Sequence, residues 1–233
     1  MQELGLESFA AYRKYLIQNP PEWKHLDLLC DITISRFYRD KGLWHFLEEE
    51  IIPEFLRSDQ TDTLSFWSAG CCNGEEPYTL AMIMDQINKK STIANFRILA
   101  TDRNPQVIER AKTGIYPKGA LKELPDKLRN QYFQPDKRVP EHYQISESIR
   151  KLVEFEQSDI RDSFPGRQFD MIFCRNLVFM YFSTEQQKQF TDYLHDHIKN
   201  EGYLVLGCHE ELPDTDKFER VIRSHPVYKR VSD

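Results

Sequence analysis

The chain has 233 residues, 40% of them hydrophobic, with 31 Lys and Arg against 37 Asp and Glu, a formal net charge of −6. That length suits one domain, or one domain with a small appendage, with enough apolar residues to bury a core. The acidic balance argues against a protein whose main work is gripping phosphate backbones, and no apolar run approaches the ~20 residues of a membrane-spanning helix.

The N-terminus, MQELGLESFAAYRKYL, has no signal-peptide pattern. The five cysteines are Cys30, Cys71, Cys72, Cys174 and Cys208, and none forms a Cys-x-x-Cys pair. A zinc ribbon and a disulfide framework are therefore unsupported, and a reduced cytoplasmic protein is expected.

In chain order, Leu6 to Ile17 reads as an amphipathic helix, stopped by Asn19-Pro20-Pro21. Gly42 to Leu56 reads as a second helix, with Leu43, Phe46, Leu47, Ile51 and Phe55 on one face and Pro53 as a bend. From Leu64 the pattern becomes an alternation of strand and helix. Strands are expected at Leu64–Ser68, Phe96–Ala100, Met171–Cys174 and Tyr203–Leu206, and helices at Glu75–Asn88, Pro105–Thr113 and Thr184–Lys199. Leu152–Phe155 is a further strand, Pro226–Val231 a closing one, and 132–150 a small inserted region of short strands and loops. Residues 1–58 thus form a helical segment, and 59–233 an α/β domain with a largely parallel sheet and helices on both faces.

The segment LSFWSAGCCNGEEPYTLAMIM, Leu64 to Met84, is a strand, a glycine loop and a helix. Such an arrangement brings backbone close to a nucleotide-like ligand at a helix N-terminus. Gly70 and Gly74 stand in Gly-x-x-x-Gly spacing, which is neither the dinucleotide fingerprint nor a P-loop. Glu75 and Glu76 in the first helical turn favour the helix dipole but would repel a pyrophosphate. A ligand with hydroxyls and positive charge suits the loop, and S-adenosylmethionine fits; plain packing is the competing reading.

Three more groups stand at expected strand ends. Asp102 can accept from both ribose hydroxyls, or cap the helix at Pro105. Asp159 can accept from an adenine amine with Ile160 against the ring, or simply make a turn. Cys174-Arg175-Asn176 follows the apolar Met171-Ile172-Phe173, where polar residues form a working rim.

The chain resembles the CheR family of S-adenosylmethionine-dependent methyltransferases, which esterify glutamates on chemotaxis receptors. The resemblance rests on Ile34-Ser35-Arg36-Phe37-Tyr38-Arg39-Asp40, on Ser68-Ala69-Gly70 with Gly74-Glu75-Glu76-Pro77-Tyr78, and on Ala100-Thr101-Asp102. Cys174-Arg175-Asn176 with Tyr181-Phe182, and Gly207 with Glu210, complete it, from about Thr33 to the end. It implies a class I, Rossmann-like methyltransferase fold with a seven-stranded, mostly parallel sheet. It further implies Glu76 at the methionine end of the cofactor, Asp102 at the ribose, and Asp159 with Ile160 at the adenine. Ser35, Arg39, Gly70, Cys174 and Arg175 adjoin the cofactor, and Arg39, Arg175 and Tyr181 line the site of transfer. No metal is implied.

The chain departs from the family in four places. Only about 32 residues precede Thr33, too few for the full basic helical domain thought to touch the receptor. The inserted segment Gln134–Pro140 lacks the glycine of members that bind receptor tails, which argues against tail binding. One extra residue after Cys-Arg-Asn leaves either Tyr181 or Met180 facing the acceptor, and Gly-His-Ser-Glu reads Gly207-Cys208-His209-Glu210.

The leading expectation is methyl transfer to a protein carboxylate, with no nucleic acid or membrane partner and the oligomeric state left open. An acceptor carboxylate is already ionised at pH 7 and needs no general base. Arg39 can orient it through a fork of hydrogen bonds, or instead pair with Asp40 at the surface. His209 and Glu210 offer a base for a hydroxyl or amine acceptor, or part of a metal site with Cys208. A small-molecule methyltransferase and a non-catalytic cofactor-binding regulator are the competing readings.

Overall fold

The computed structural model describes residues 4–23, 26, 35–57, 63–90, 95–213 and 215–232. Cys30, Thr33 and Ile34 lie outside these. The chain divides into two compact units, Met1–Ile34 and Ser35–Asp233. In the first, helix α1 (Phe9–Gln18) begins where the Ser8 side chain accepts from the Ala11 N–H at 3.2 Å, and it is capped at Asn19 ahead of the two prolines.

The second unit opens with α2 (Lys41–Phe46), a π-helical turn (Leu47–Ile51) and α3 (Ile52–Arg57). Pro53 has no N–H to give the carbonyl four residues back, and the helix widens into the π-helical turn just ahead of it. The Ile52 N–H reaches Leu47 O instead, which leaves Leu47, Ile51 and Ile52 all facing inward.

A seven-stranded sheet follows. Its strands are β1 (Leu64–Ala69), β2 (Phe96–Asp102), β6 (Val153–Gln157), β7 (Phe169–Phe173), β8 (Ile198–Val205), β9 (Phe218–Ile222) and β10 (His225–Arg230). The order is β6-β2-β1-β7-β8-β10-β9. Neighbours from β6 through β8 are parallel, and β10 runs antiparallel to both β8 and β9. The expected largely parallel sheet is found. The chain reverses direction of travel at β1, between β2 and β7, which is where such sheets bind ligands.

Period-2 alternation divides the core between the two faces. Phe66, Ile98, Ala100, Met171, Phe173 and Val205 pack on one side with Trp44 and Tyr78. Trp67, Leu99, Ile172, Leu204 and Leu206 pack on the other with Phe190 and Leu194. Each fully buried large side chain contributes roughly 1.5–3 kcal/mol. At the opposite end from the ligand side, buried Asp170 accepts from the Ser65 N–H at 2.7 Å and from Lys199 Nζ at 2.9 Å, tying β7 to its neighbours.

Helices α4 (Glu75–Lys90), α5 (Pro105–Thr113) and α9 (Thr184–His197) connect the strands. α9 opens with a capping box between Ser183 and Gln186 and stops two residues short of the expected Lys199, because Ile198 already pairs with Phe169 in the sheet. A second sheet of three short antiparallel strands, in the order β3 (Ile115–Pro117), β5 (His142–Ile145), β4 (Phe133–Pro135), lies between α5 and β6. It includes Ile115–Pro117, upstream of the expected 132–150. In place of a glycine, the β4–β5 turn is closed by Asp136 Oδ1, which accepts from the Arg138 and Val139 N–H groups at 2.8 and 2.9 Å.

Candidate active site

The loop after β1 is shaped by its two glycines. Gly70 and Cys71 both donate their N–H groups to Thr101 O, at 2.8 and 2.9 Å, so the loop folds across the end of β2. Gly70 has φ +73°, and a Cβ there would stand 2.8 Å from Leu177 Cδ2. Gly74 has φ +89°, with Ala111 Cβ, Phe155 Cζ and the Tyr116 hydroxyl oxygen 3.0–3.2 Å from where a Cβ would be. Both positions combine a left-handed backbone with no room for a side chain. The Gly74 carbonyl then accepts from the Tyr78 N–H in the first turn of α4.

Acidic side chains surround this loop. Asp102 accepts from the Cys72 N–H and the Asn104 N–H, both at 2.9 Å. The cap of α5 is Asn104, whose side chain accepts from Gln106 N, so Asp102 does not cap the helix itself but joins the glycine loop, at Cys72, to the capping residue, at Asn104. Glu76 accepts from the Ser68 hydroxyl at 2.8 Å and from Arg175 Nη1 at 3.0 Å. Glu75 is 3% exposed and takes bonds from Ser35 and Asn73, and burial pushes its carboxyl up to about 7. Its Oε2 has no partner among the described residues. Burial likewise raises the Cys72 thiol to about 12.

Arg175 is the hub. Its guanidinium bridges Glu76 and Asp40 (Nη2 to Asp40 Oδ2, 2.6 Å), touches Arg39 O at 3.4 Å, and lies 5.8 Å from the Trp44 ring centroid. Asp40 holds φ +65° to reach it. The surface pairing of Arg39 with Asp40 is therefore not made: Asp40 is engaged by Arg175, and the exposed Arg39 side chain forms no hydrogen bond or ion pair with a described residue.

Of the residues expected from sequence, Ser35, Gly70, Glu76, Asp102, Cys174 and Arg175 and the Arg39 backbone gather at the carboxyl ends of β1, β2 and β7. Cys174 is fully buried, its N–H on Val205 O, and burial and the Glu210 charge hold its thiol up. Asp159 and Ile160 follow β6, next to Asp102, whose carbonyl accepts from the Ser158 N–H at 3.0 Å. The Arg161 guanidinium forks onto both Asp159 oxygens at 2.6–3.1 Å and holds its carboxyl below the usual range. Ile160 is 8% exposed and packs with Trp67 and Leu99. Tyr181 ends the short helix α8 (Val178–Tyr181) and is 56% exposed, beside Met180 at 41%.

Sequence reasoning missed Asp40 as a partner for Arg175, 135 residues away, and Trp44 beneath it. It also offered Glu210 as a base or metal ligand. The structure gives it other work: it is 2% exposed and its oxygens accept from three backbone amides, while His209 is exposed. Among the described residues, no group of three or more His, Cys, Asp or Glu could hold a metal ion.

The strand order, the glycine loop at the reversal point and the carboxylate on the second strand define a class I, Rossmann-like, S-adenosylmethionine-dependent methyltransferase. A family model, CheR methyltransferase, SAM binding domain, matches residues 33–227, and the chain belongs to this family. It is 30% identical to a chemotaxis protein methyltransferase of Borreliella burgdorferi, an alignment covering 97% of this chain and 81% of that one. It is 32% identical to the chemotaxis protein methyltransferase Cher2 of Pseudomonas putida (97% and 84% covered) and to a chemotaxis protein methyltransferase of Listeria innocua (88% and 75%). No described helix is long and apolar enough to cross a membrane.

Proposed function

We propose that this methyltransferase esterifies a carboxylate on a protein, a glutamate side chain, and that Arg39 receives the acceptor. The observation that carries this is the contrast between the two arginines. Arg175 is buried and already neutralised by two carboxylates, whereas Arg39 stands exposed at the same rim with its guanidinium uncommitted to any described residue. A planar fork of donors beside the cofactor site suits a carboxylate. The names of the relatives, chemotaxis protein methyltransferases, agree with a protein acceptor.

The residues present fit the cofactor. Glu76 and Asp102, on either side of the tight glycine loop, supply hydrogen-bond acceptors and negative charge where an ammonium and ribose hydroxyls would lie. Glu76 would hold the amino-acid end, Asp102 the ribose, and Asp159 with Ile160 the adenine, with Ser35, Gly70 and Cys174 adjoining. Bound S-adenosylmethionine supplies an electrophilic methyl group on a sulfonium sulfur. Arg39 orients the acceptor oxygen, which is ionised at neutral pH and needs no base. Arg175 keeps Glu76 in place and screens the acceptor from the site's carboxylates, and Tyr181 or Met180, both exposed, would face the acceptor.

The test is a pair of substitutions assayed with the protein acceptor. Arg39→Ala should lower kcat/KM about 100-fold, the worth of one charged fork, and Arg39→Lys should recover part of it. Unchanged transfer and unchanged acceptor affinity in Arg39→Ala would reject the assignment.

A further inference from the structure

Glu210 sits in the loop after β8, outside the groups assigned to cofactor or acceptor, yet it is among the most buried charges in the protein at 2% exposed. Its Oε2 accepts from the Asn176 N–H at 2.6 Å and the Gly207 N–H at 2.7 Å, and its Oε1 accepts from the Leu177 N–H at 3.1 Å. Three amide donors converging on one carboxylate form an anion nest built by the chain itself. Asn176 holds φ +55°, a left-handed conformation that costs a non-glycine residue free energy unless its surroundings fix it.

The segment held this way is the rim of the candidate site. Arg175 immediately precedes Asn176 and reaches Glu76, while the Leu177 side chain stands 2.8 Å from where a Cβ on Gly70 would be. Gly207 completes the fit: a Cβ there would meet Asn176 Nδ2 and Glu210 Oε2, each at 2.7 Å. One carboxylate thus locks the loops after β7 and β8 together and presses Leu177 against the glycine loop after β1.

We infer that Glu210 is a positioning residue for the cofactor site, holding Arg175 and Leu177 in register through the Asn176, Leu177 and Gly207 amides. The inference rests on the cofactor site proposed above. It makes a specific demand on chemistry, because Oε2 serves two donors. A glutamine turned to keep its oxygen there loses only the weaker Leu177 bond; turned the other way it sets an N–H₂ against two N–H groups. Its side chain is also neutral, so the bonds it keeps weaken.

The test is calorimetric binding of S-adenosylhomocysteine to the full chain and to Glu210→Gln, Glu210→Ala, Gly207→Ala and Ile198→Ala, with amide proton shifts recorded by NMR. Ile198, buried at the opposite end of β8 from the site, controls for lost stability. The Asn176 and Gly207 amide protons should be shifted far downfield in the parent and move back in Glu210→Gln. Both Glu210 variants and Gly207→Ala should bind about tenfold or more weakly, and Ile198→Ala within about twofold of the parent. Ordinary shifts for both amides in the parent would overturn the inference. So would a folded Gly207→Ala, or folded Glu210→Ala, that binds as tightly as the parent. Failure of the parent itself to bind would strike at the cofactor assignment instead, while the amide shifts still report on the clamp.

Discussion

Arg175 shows how one side chain can set the electrostatics of a site. It lies buried with Asp40 and Glu76 at 2.6 and 3.0 Å, and its charge is what lets those two carboxylates stand close to each other. Removing it leaves both uncompensated, so Arg175→Met should destabilise the protein by about 3 kcal/mol, read from urea unfolding, and abolish measurable cofactor binding. Glu75 behaves differently. Burial raises its carboxyl from 4.5 to about 7, so the folded state favours the neutral form. That contribution to stability is complete below pH 4.5 and is lost as pH rises through about 7. Glu75→Gln should therefore gain in melting temperature relative to the parent between pH 5 and pH 8. A parallel pair of melting curves would show that Glu75 is ionised at no cost.

Among the elements, the glycine loop depends most on local geometry. Gly70→Ala must force a side chain into a left-handed backbone and against Leu177, and should weaken S-adenosylhomocysteine binding at least tenfold with a loss of about 1–2 kcal/mol of stability. The central strands were legible in the sequence because they are buried on both faces and read as short, mostly apolar runs, LSFWSA and FDMIF, interrupted only by Ser65, Ser68 and Asp170. Helix α5 was legible because Asn104, Pro105 and Gly114 mark its ends. Strand β3 was not, since three residues carry no periodicity and its partner Gln144 lies far along the chain. The first residues of β8 were hidden for a related reason: Ile198 continues the apolar pattern of α9, and only its pairing with Phe169 makes it strand.

For the molecule as a whole, the sheet brings loops from β1, β2, β6, β7 and β8 to one edge, and residues far apart in sequence become partners there. Asp102, Asp159 and Arg175 could be found by their places at strand ends, Glu76 by its place in the first turn after the glycine loop, and Arg39 and Glu210 through the family resemblance. Their pairings could not, because Arg175 meets Asp40 across 135 residues and Glu210 meets Asn176 across 34. The same assembly leaves Arg39 exposed at the rim, where it would receive the acceptor. The most direct measurement uses purified protein, methyl-labelled S-adenosylmethionine and a lysate from the same source, followed by mild alkali on the labelled protein fraction. Esterification of glutamate predicts that the label is released as volatile methanol. Label that survives alkali, or that appears only among small molecules, would contradict a carboxylate acceptor on protein.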